Sequence, residues 1–230
     1  SARDQAMRFI FYSVLCLFFT KTVFAIPINT SVALPVSKNH TVFRVQNENT
    51  KPSPGEVSHT TVLAIAYGIN EKDAFIFTLP NVVNGPNQGF GDTTFLLRHT
   101  VYKFDAPLLT SRAAIIGGFK LPTGVNELTS ESTDWRLGAV YTLQKDSHEF
   151  DASIVYGINT EAEGTEKGDT VKHDIAYQFR VFPWYLPDSG VPAQFNLVIE
   201  LNGFYIQKSE VLAVTDNNSG GYRLFSSLGF

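Results

Sequence analysis

Nine ionisable residues stand where ionisable residues are least expected. Arg98, Arg112, Lys120, Arg136, Lys172, Asp174, Arg180, Glu200 and Arg223 each fall inside or beside a run of apolar and aromatic residues. Seven of them are cationic. Turned towards a common interior, such groups have two uses. They can line a passage and favour small anions or carboxylated aromatics, because charge on a pore wall sets selectivity. Alternatively, the arginines pair with Asp174 and Glu200 and fill the interior of a closed barrel.

Covalent and metal chemistry find little footing. His40, His59, His99, His148 and His173 are dispersed, with no HExxH, no GxSxG and no Cys/His pairing. A hydrolase set into a barrel wall would use His99 or His148 beside a neighbouring serine, a pair that the sequence does not place. "GPNQGFG" (85–91) lacks the GK[ST] ending of a phosphate-binding loop. "LPTG" (121–124) lacks the residue between Pro and Thr that a sortase anchor requires. The chain is therefore read as no enzyme, without metal or cofactor.

The elements that must position the nine residues are strands. Between Gly, Pro, Asn and Asp breaks, ten extended segments are expected at 40–48, 60–69, 73–80, 92–104, 110–121, 134–144, 147–158, 169–182, 193–206 and 220–230. Most are near the 9–11 residues that cross a bilayer at a tilt. Alternation separates the faces. In 134–144, Trp135, Leu137, Ala139, Tyr141 and Leu143 oppose Arg136, Thr142 and Gln144. In 171–182, Val171, Ile175, Tyr177, Phe179 and Val181 oppose Lys172, Asp174, Gln178 and Arg180, with His173 the odd member of the apolar face. Segments 60–69 and 92–104 alternate poorly.

The connections alternate too. Residues 70–73, 104–109, 144–147 and 183–190 make short or fairly short ones. Residues 49–60, 81–91, 122–134, 159–168 and 207–220 make long polar ones. Short turns on one side and long loops on the other are the habit of an outer-membrane barrel. Trp135, Tyr141, Tyr156, Trp184, Tyr185 and Tyr205 are the aromatics expected at the membrane interfaces. "GGFKLP" (117–122) and "FTLP" (77–80) read as the tops of upward strands, where proline hands the chain to an outer loop.

Composition agrees. Of 230 residues only 17% are charged, while 13% are aromatic, including 19 Phe and 9 Tyr. Soluble domains carry nearer a quarter charged residues. Mean hydropathy is −0.02, so apolar residues are interspersed with polar ones, as in a barrel wall. Residues 1–6 read as upstream translation or a cloning scar. Arg8 and the apolar core 9–19, followed by Val23-Phe24-Ala25, read as a signal peptide spanning 7–25 and cleaved after Ala25. Cys16, the single cysteine, falls inside it. A single barrel domain is expected over 26–230, exported to the outer membrane of a Gram-negative cell. The sequons at Asn29, Asn39 and Asn218 are then incidental. Loss of Arg3, Asp4, Arg8 and Lys21 takes the formal charge from −4 to −6, which argues against a nucleic-acid partner.

"GDTTFLLRHTVYKF" (91–104) followed by "GGFKLPTG" (117–124) resembles the outer-membrane family of transporters of the phenol-degradation MetA-pathway type. "YGINEKDAFIFTLP" (67–80), "DWRLGAVYTL" (134–143) and "SGGYRLFSSLGF" (219–230) resemble other strands of that family. The resemblance implies an all-β, antiparallel, up-and-down transmembrane β-barrel that passes small aromatic or hydrophobic compounds. It supplies no catalytic motif. Family members continue with a further hairpin, so twelve strands are one expectation. The other is ten, with Tyr222, Leu224, Leu228 and Phe230 forming the signal read by barrel-assembly machinery. Lipid and lipopolysaccharide are the expected surroundings. The loop acids Glu127, Glu131, Asp134, Glu161, Glu163 and Glu166 could hold divalent cations there, although solvated loop charge is the simpler reading. A closed barrel serving as a structural or surface-interaction protein is the alternative to transport.

Overall fold

The computed structural model describes residues 30–50, 58–84, 87–184 and 194–230. The leader, its cleavage site and Tyr185 lie outside the described residues. The alternating segments form ten long strands: β1 (Thr41–Thr50), β2 (Ser58–Gly68), β3 (Asp73–Asn84), β5 (Thr93–Ala106), β6 (Leu109–Leu121), β7 (Asp134–Lys145), β8 (His148–Ile158), β10 (Thr170–Phe182), β11 (Phe195–Ile206) and β14 (Gly221–Gly229). They coincide with the ten expected segments to within a few residues. Four short strands lie in stretches expected to be loops: β4 (Asn87–Phe90), β9 (Thr165–Glu166), β12 (Glu210–Val211) and β13 (Val214–Thr215).

Every long strand pairs antiparallel with its sequence neighbours, from β1 at one end of the sheet to β14 at the other. The all-β chain is thus an up-and-down sheet curled into a half-barrel. The curl brings Arg44 of β1 within electrostatic reach of Glu200 on β11.

Its two faces are inverted relative to a water-soluble protein. The concave face buries Asp134, Thr142, Glu149, Asp151, Asp174, Gln178, Glu200 and Asn202, while the convex face exposes Phe75, Leu97, Ile115, Leu137, Ile154, Ile175, Leu197 and Leu201. Leu137 is 64% exposed and Asp134 is 1% exposed. An open sheet in water buries its apolar face instead.

A bulge in β5 explains why 92–104 alternates poorly. Thr100 pairs with Ala114, but Tyr102 pairs with Ala113, so the register slips by one residue at Val101. Even-numbered residues face inward before the bulge and odd-numbered ones after it, which brings Lys103 opposite Arg112 and Asp105 opposite Thr110. One extra residue in a strand has this effect. In β2 the inward residues Val62, Ala64 and Ala66 are themselves apolar, so both faces read alike.

The expectation that an upward strand ends at Pro80 needs correction. β3 continues to Asn84 and returns as β4, forming an extended hairpin. Its pairing with β5 stops at Thr78 and β4 takes over at Asn81. Pro80 therefore sits at a handover where its missing N–H is not needed, and its carbonyl accepts the Gly91 amide at 2.9 Å.

The connections 69–72, 107–108 and 146–147 are two to four residues long; 183–194 lies at the same end but is twelve residues, as long as 122–133 among the loops at the other end. Two-residue turns at 107–108 and 146–147 sit side by side, the Asp146 amide donating to the Leu108 carbonyl at 2.8 Å. In "GGFKLP", Gly118 faces inward and a Cβ there would fall 1.9 Å from the Phe95 carbonyl oxygen, whereas one on Gly117 would meet nothing nearer than 3.9 Å. The first glycine is thus dispensable on steric grounds and the second permits close approach of β5.

Lateral rows of apolar residues cross the convex face. At the loop end Phe95, Phe119, Trp135 and Ile158 are direct neighbours on β5 to β8. Phe95–Phe119 and Phe119–Trp135 ring centroids lie 5.6 and 6.0 Å apart. At the turn end the corresponding row is Phe104, Ser111, Leu143 and Phe150. Trp135 and Leu143 are eight residues apart on β7, about 26 Å along the strand and roughly 20 Å in height at the usual barrel tilt. Followed the other way, the first row continues through Phe77 and Ile65 to Phe43. These residues lie progressively closer to the turn end, as the stagger of tilted strands requires.

Candidate functional site

The concave face gathers the chain's buried charge, and period-two register decides what reaches it. All nine ionisable residues singled out above project from this face. They do not act as one cationic lining, however, because they sort by height.

Near the short turns, the Arg112 guanidinium contacts Asp105 Oδ1 at 2.6 Å and donates to the Phe104 and Ser111 carbonyls. Arg180 donates to the Pro183 carbonyl at 3.1 Å and reaches the Asp146 carbonyl and Ser147 Oγ at 3.4 Å. Beside it a cavity of about 20 Å³ is lined by Gln144, Glu149, Gln178 and Asn196, which is room for one water molecule and no solute.

At the loop end, Lys120 Nζ lies 2.6 Å from Asp134 and 3.5 Å from Asp92. Asp134 was expected in an acidic outer loop. It is instead the first residue of β7, buried, and also accepts from Ser132 Oγ at 2.8 Å and the Thr160 amide at 3.2 Å. The apolar run that begins at Trp135 draws its neighbour into the strand. Arg136 donates to Asn159 Oδ1 and the Trp135 carbonyl, 3.8 Å from Asp134. Asp92 accepts from the Gly124 and Ser130 amides and from Ser130 Oγ at 2.6 Å. Its burial opposes the charged form, but the Ser130 hydroxyl and the two amides outweigh this and hold the carboxyl below its ordinary value. Lys172 Nζ is 3.3 Å from Asp174, which also accepts from Ser153 Oγ and Asn202 Nδ2. The pairing expected of the arginines with Asp174 is thus made by a lysine. Arg223 shares this face but is exposed on β14.

The middle is different. Arg98 is 6% exposed, and its Nη1 donates to the Val32 carbonyl at 3.0 Å. Among the described residues no carboxylate pairs with it. Two strands away, and four residues along β7 from the level of Arg98, Thr142 Oγ1 accepts the Ala33 amide at 2.8 Å and donates to Asp151 at 2.5 Å. Asp151 and Glu200 lie in one lateral row, separated by Ala176. Between Arg98 and these acids is an apolar patch of Ala114, Ile116 and Val140, with Ala33 packed on it.

Val32 and Ala33 belong to an extended segment, residues 30–37, that enters the concavity before β1 begins. It leaves across Gly68, where the Asn39 amide donates to the Gly68 carbonyl at 2.7 Å and the Gly68 amide donates to His40. A Cβ on Gly68 would fall 2.2 Å from the Ser37 carbonyl oxygen.

Sequence reasoning missed Glu149, Asp151 and this segment. The signal for the two acids was present: in "HEFDASIVYG" (148–157), Glu149, Asp151 and Ser153 alternate with Phe150, Ala152 and Ile154. With Asp92, Asp105 and Asp134 they offset the cationic excess inferred for the interior. Nothing in residues 30–37 foretold their place.

Of the expected interface aromatics, Trp135 joins the loop-end row. Tyr156 is hydrogen-bonded to Asp169, and Tyr205 is exposed near the same end. Trp184 packs edge-on against Phe179 at the turn end, with ring centroids 5.9 Å apart. Tyr141 lies nearer the turn end and accepts from Ser111 Oγ at 3.0 Å. The convex histidines are tied up locally: His99 to Asp73 at 2.7 Å, His148 to the Tyr177 hydroxyl at 2.6 Å, and His173 to the Tyr222 hydroxyl at 3.1 Å. His173 reaches Tyr222 by lying over Gly203, which explains an imidazole on an apolar face. Among the described residues no three His, Cys, Asp or Glu are grouped to hold a metal ion.

Compared with known proteins, residues 31–218 match the family model described as "Putative MetA-pathway of phenol degradation". The chain belongs to this family. The match begins within the internal segment and extends beyond β13, so it takes in nine of the ten long strands. No curated protein matches the chain.

Proposed function

We propose that this protein is an outer-membrane β-barrel that passes small molecules, rather than an enzyme. The observation that carries the reading is the inversion of the sheet: a convex surface of Phe, Leu, Ile and Tyr, and a concave surface of buried Asp, Glu, Arg, Asn and Thr. Lipid outside and a polar interior are the conditions that favour such a distribution. The rows at the two ends and the sorting of short and long connections support the same orientation, with the long loops outside the cell. The family description associates it with phenol degradation, so small aromatic compounds are the solutes proposed here.

The concavity as it stands is partly occupied. Residues 30–37 lie across the middle and ion pairs occupy both ends, so passage requires the internal segment to move. That same filling favours the second reading, a closed barrel whose loops make surface contacts. Planar-bilayer conductance of the purified protein separates them, with folding first established by the gel shift between heated and unheated samples. Discrete current steps are expected. A folded protein that never conducts and takes up no aromatic solute into vesicles would overturn transport.

A further inference from the structure

The middle of the concave face contains a buried cation that lacks a counter-ion among the described residues. Four other inward cations have carboxylates: Arg112 has Asp105, Lys120 and Arg136 have Asp134, and Lys172 has Asp174, while Arg223 is exposed. Arg180 is held by two carbonyls and a hydroxyl at the turn end. Arg98 is buried deeper than Lys120 or Lys172, and its one hydrogen-bond partner is the Val32 carbonyl. Its Nη2 is buried without a partner, as is the nearby Thr100 Oγ1. A buried guanidinium with unused donors is costly unless something anionic meets it.

Beside Arg98 lies a cluster of buried hydrophobic residues, Ala114, Ile116 and Val140. Arg98 is directly opposite Ile116, and Thr100 opposite Ala114. What covers the cluster is a dipeptide with instructive chemistry. The Val32 carbonyl lies on Arg98, the Ala33 methyl lies on the apolar patch, and the Ala33 amide donates to Thr142. A carbonyl oxygen is a weak partner for a guanidinium, which pairs better with a carboxylate through two parallel hydrogen bonds.

We propose that Arg98, Thr100, Ala114, Ile116 and Val140 form a binding site for a small organic carboxylate with a compact apolar body, and that residues 30–37 occupy it as a displaceable surrogate. The carboxylate lies on Arg98 and Thr100 and the apolar body on the patch. Asp151 and Glu200, beyond Thr142, repel the anionic end and so fix the orientation. This deepens the transport reading and rests on its polar interior, but not on conduction itself.

The test uses the folded protein in detergent micelles, with benzoate as the probe and benzyl alcohol as its neutral counterpart, followed by calorimetry. Benzoate should bind more tightly than benzyl alcohol, and Arg98→Gln should weaken benzoate about tenfold or more while leaving benzyl alcohol unchanged, as loss of a charge-assisted pair predicts. Gly68→Ala, which forces the Ser37 carbonyl away, should tighten benzoate several-fold by loosening the surrogate. If Arg98→Gln fails to fold, Ala114→Leu replaces it, since filling the patch must also weaken benzoate. Equal benzoate affinity with and without Arg98, or no binding by folded wild type and Gly68→Ala alike, overturns the site. Unchanged affinity in folded Gly68→Ala overturns the surrogate role. Conductance measured on the same samples keeps the two readings apart. Current without Arg98-dependent binding would leave the channel and remove the site, and Arg98-dependent binding in a silent barrel would do the reverse.

Discussion

Single side chains at the two ends of the concave face act as fasteners, and their loss should be felt as stability. Lys120 neutralises a fully buried Asp134 at 2.6 Å and bridges it to Asp92. Lys120→Ala leaves that carboxylate with Arg136 at 3.8 Å as its remaining cation, so a loss of up to about 3 kcal/mol is expected from urea unfolding followed by tryptophan fluorescence. Lys120→Ala with Asp134→Asn should recover much of it. Asp92 gives a pH signature instead. Its carboxyl is held below the ordinary value of 3.8 by Ser130 and Gly124, so the stability it lends is fully present above that value. It is lost as the pH falls through the lower folded value. Pepsin nicking of the 122–133 loop should therefore rise below about pH 4, and Asp92→Asn should be nicked at higher pH as well. Identical digestion of the two proteins throughout would show that Asp92 does not pin this loop.

Strands are where sequence legibility was highest and where it failed for a definable reason. Alternation, together with the Gly, Pro, Asn and Asp breaks, located the ten long strands, because most have one apolar and one polar face, and Lys120, Asp174 and Glu200 lie on the concave side. It could not phase β5, because the register slip at Val101 exchanges faces within a single segment. It also could not follow β3 past Pro80, where a change of pairing partner makes the proline harmless. Neither feature is local to its own residues; both depend on what the neighbouring strand does. The internal segment was unreadable for the same reason, since Ala33 is fixed by Thr142, 109 residues away. Two predictions belong here. Gly118→Val should abolish the unheated, fast-migrating gel band by wedging β5 from β6, whereas Gly117→Ala should keep it. Deleting Val101 should keep the band, because it removes the extra residue and leaves Tyr102 opposite Ala113, and Lys103 and Asp105 facing inward opposite Arg112 and Thr110. Loss of the band in the deletion variant would mean that the bulge itself is required.

At the scale of the whole molecule, the inverted faces predict how the surface tolerates charge. Ile115 is half exposed on the convex face, midway between Phe119 and Ser111. In a water-soluble sheet Ile115→Arg would change stability by less than about 0.5 kcal/mol. In a bilayer it should cost about 2–4 kcal/mol, readable from urea titration of protein refolded in vesicles, while arginine at exposed Leu212 in an outer loop should cost nearly nothing. The diagonal row from Phe43 to Trp135 has a further consequence. Its members are hydrogen-bonded neighbours, strand to strand, yet Phe43 stands close to the turn end of the barrel and Trp135 close to the loop end. In the proposed membrane-spanning barrel the row would be an oblique ruler through the bilayer: brominated lipids of one leaflet should quench Trp135, and those of the opposite leaflet a tryptophan placed at 43. Residues side by side in the ladder report on opposite faces of the bilayer.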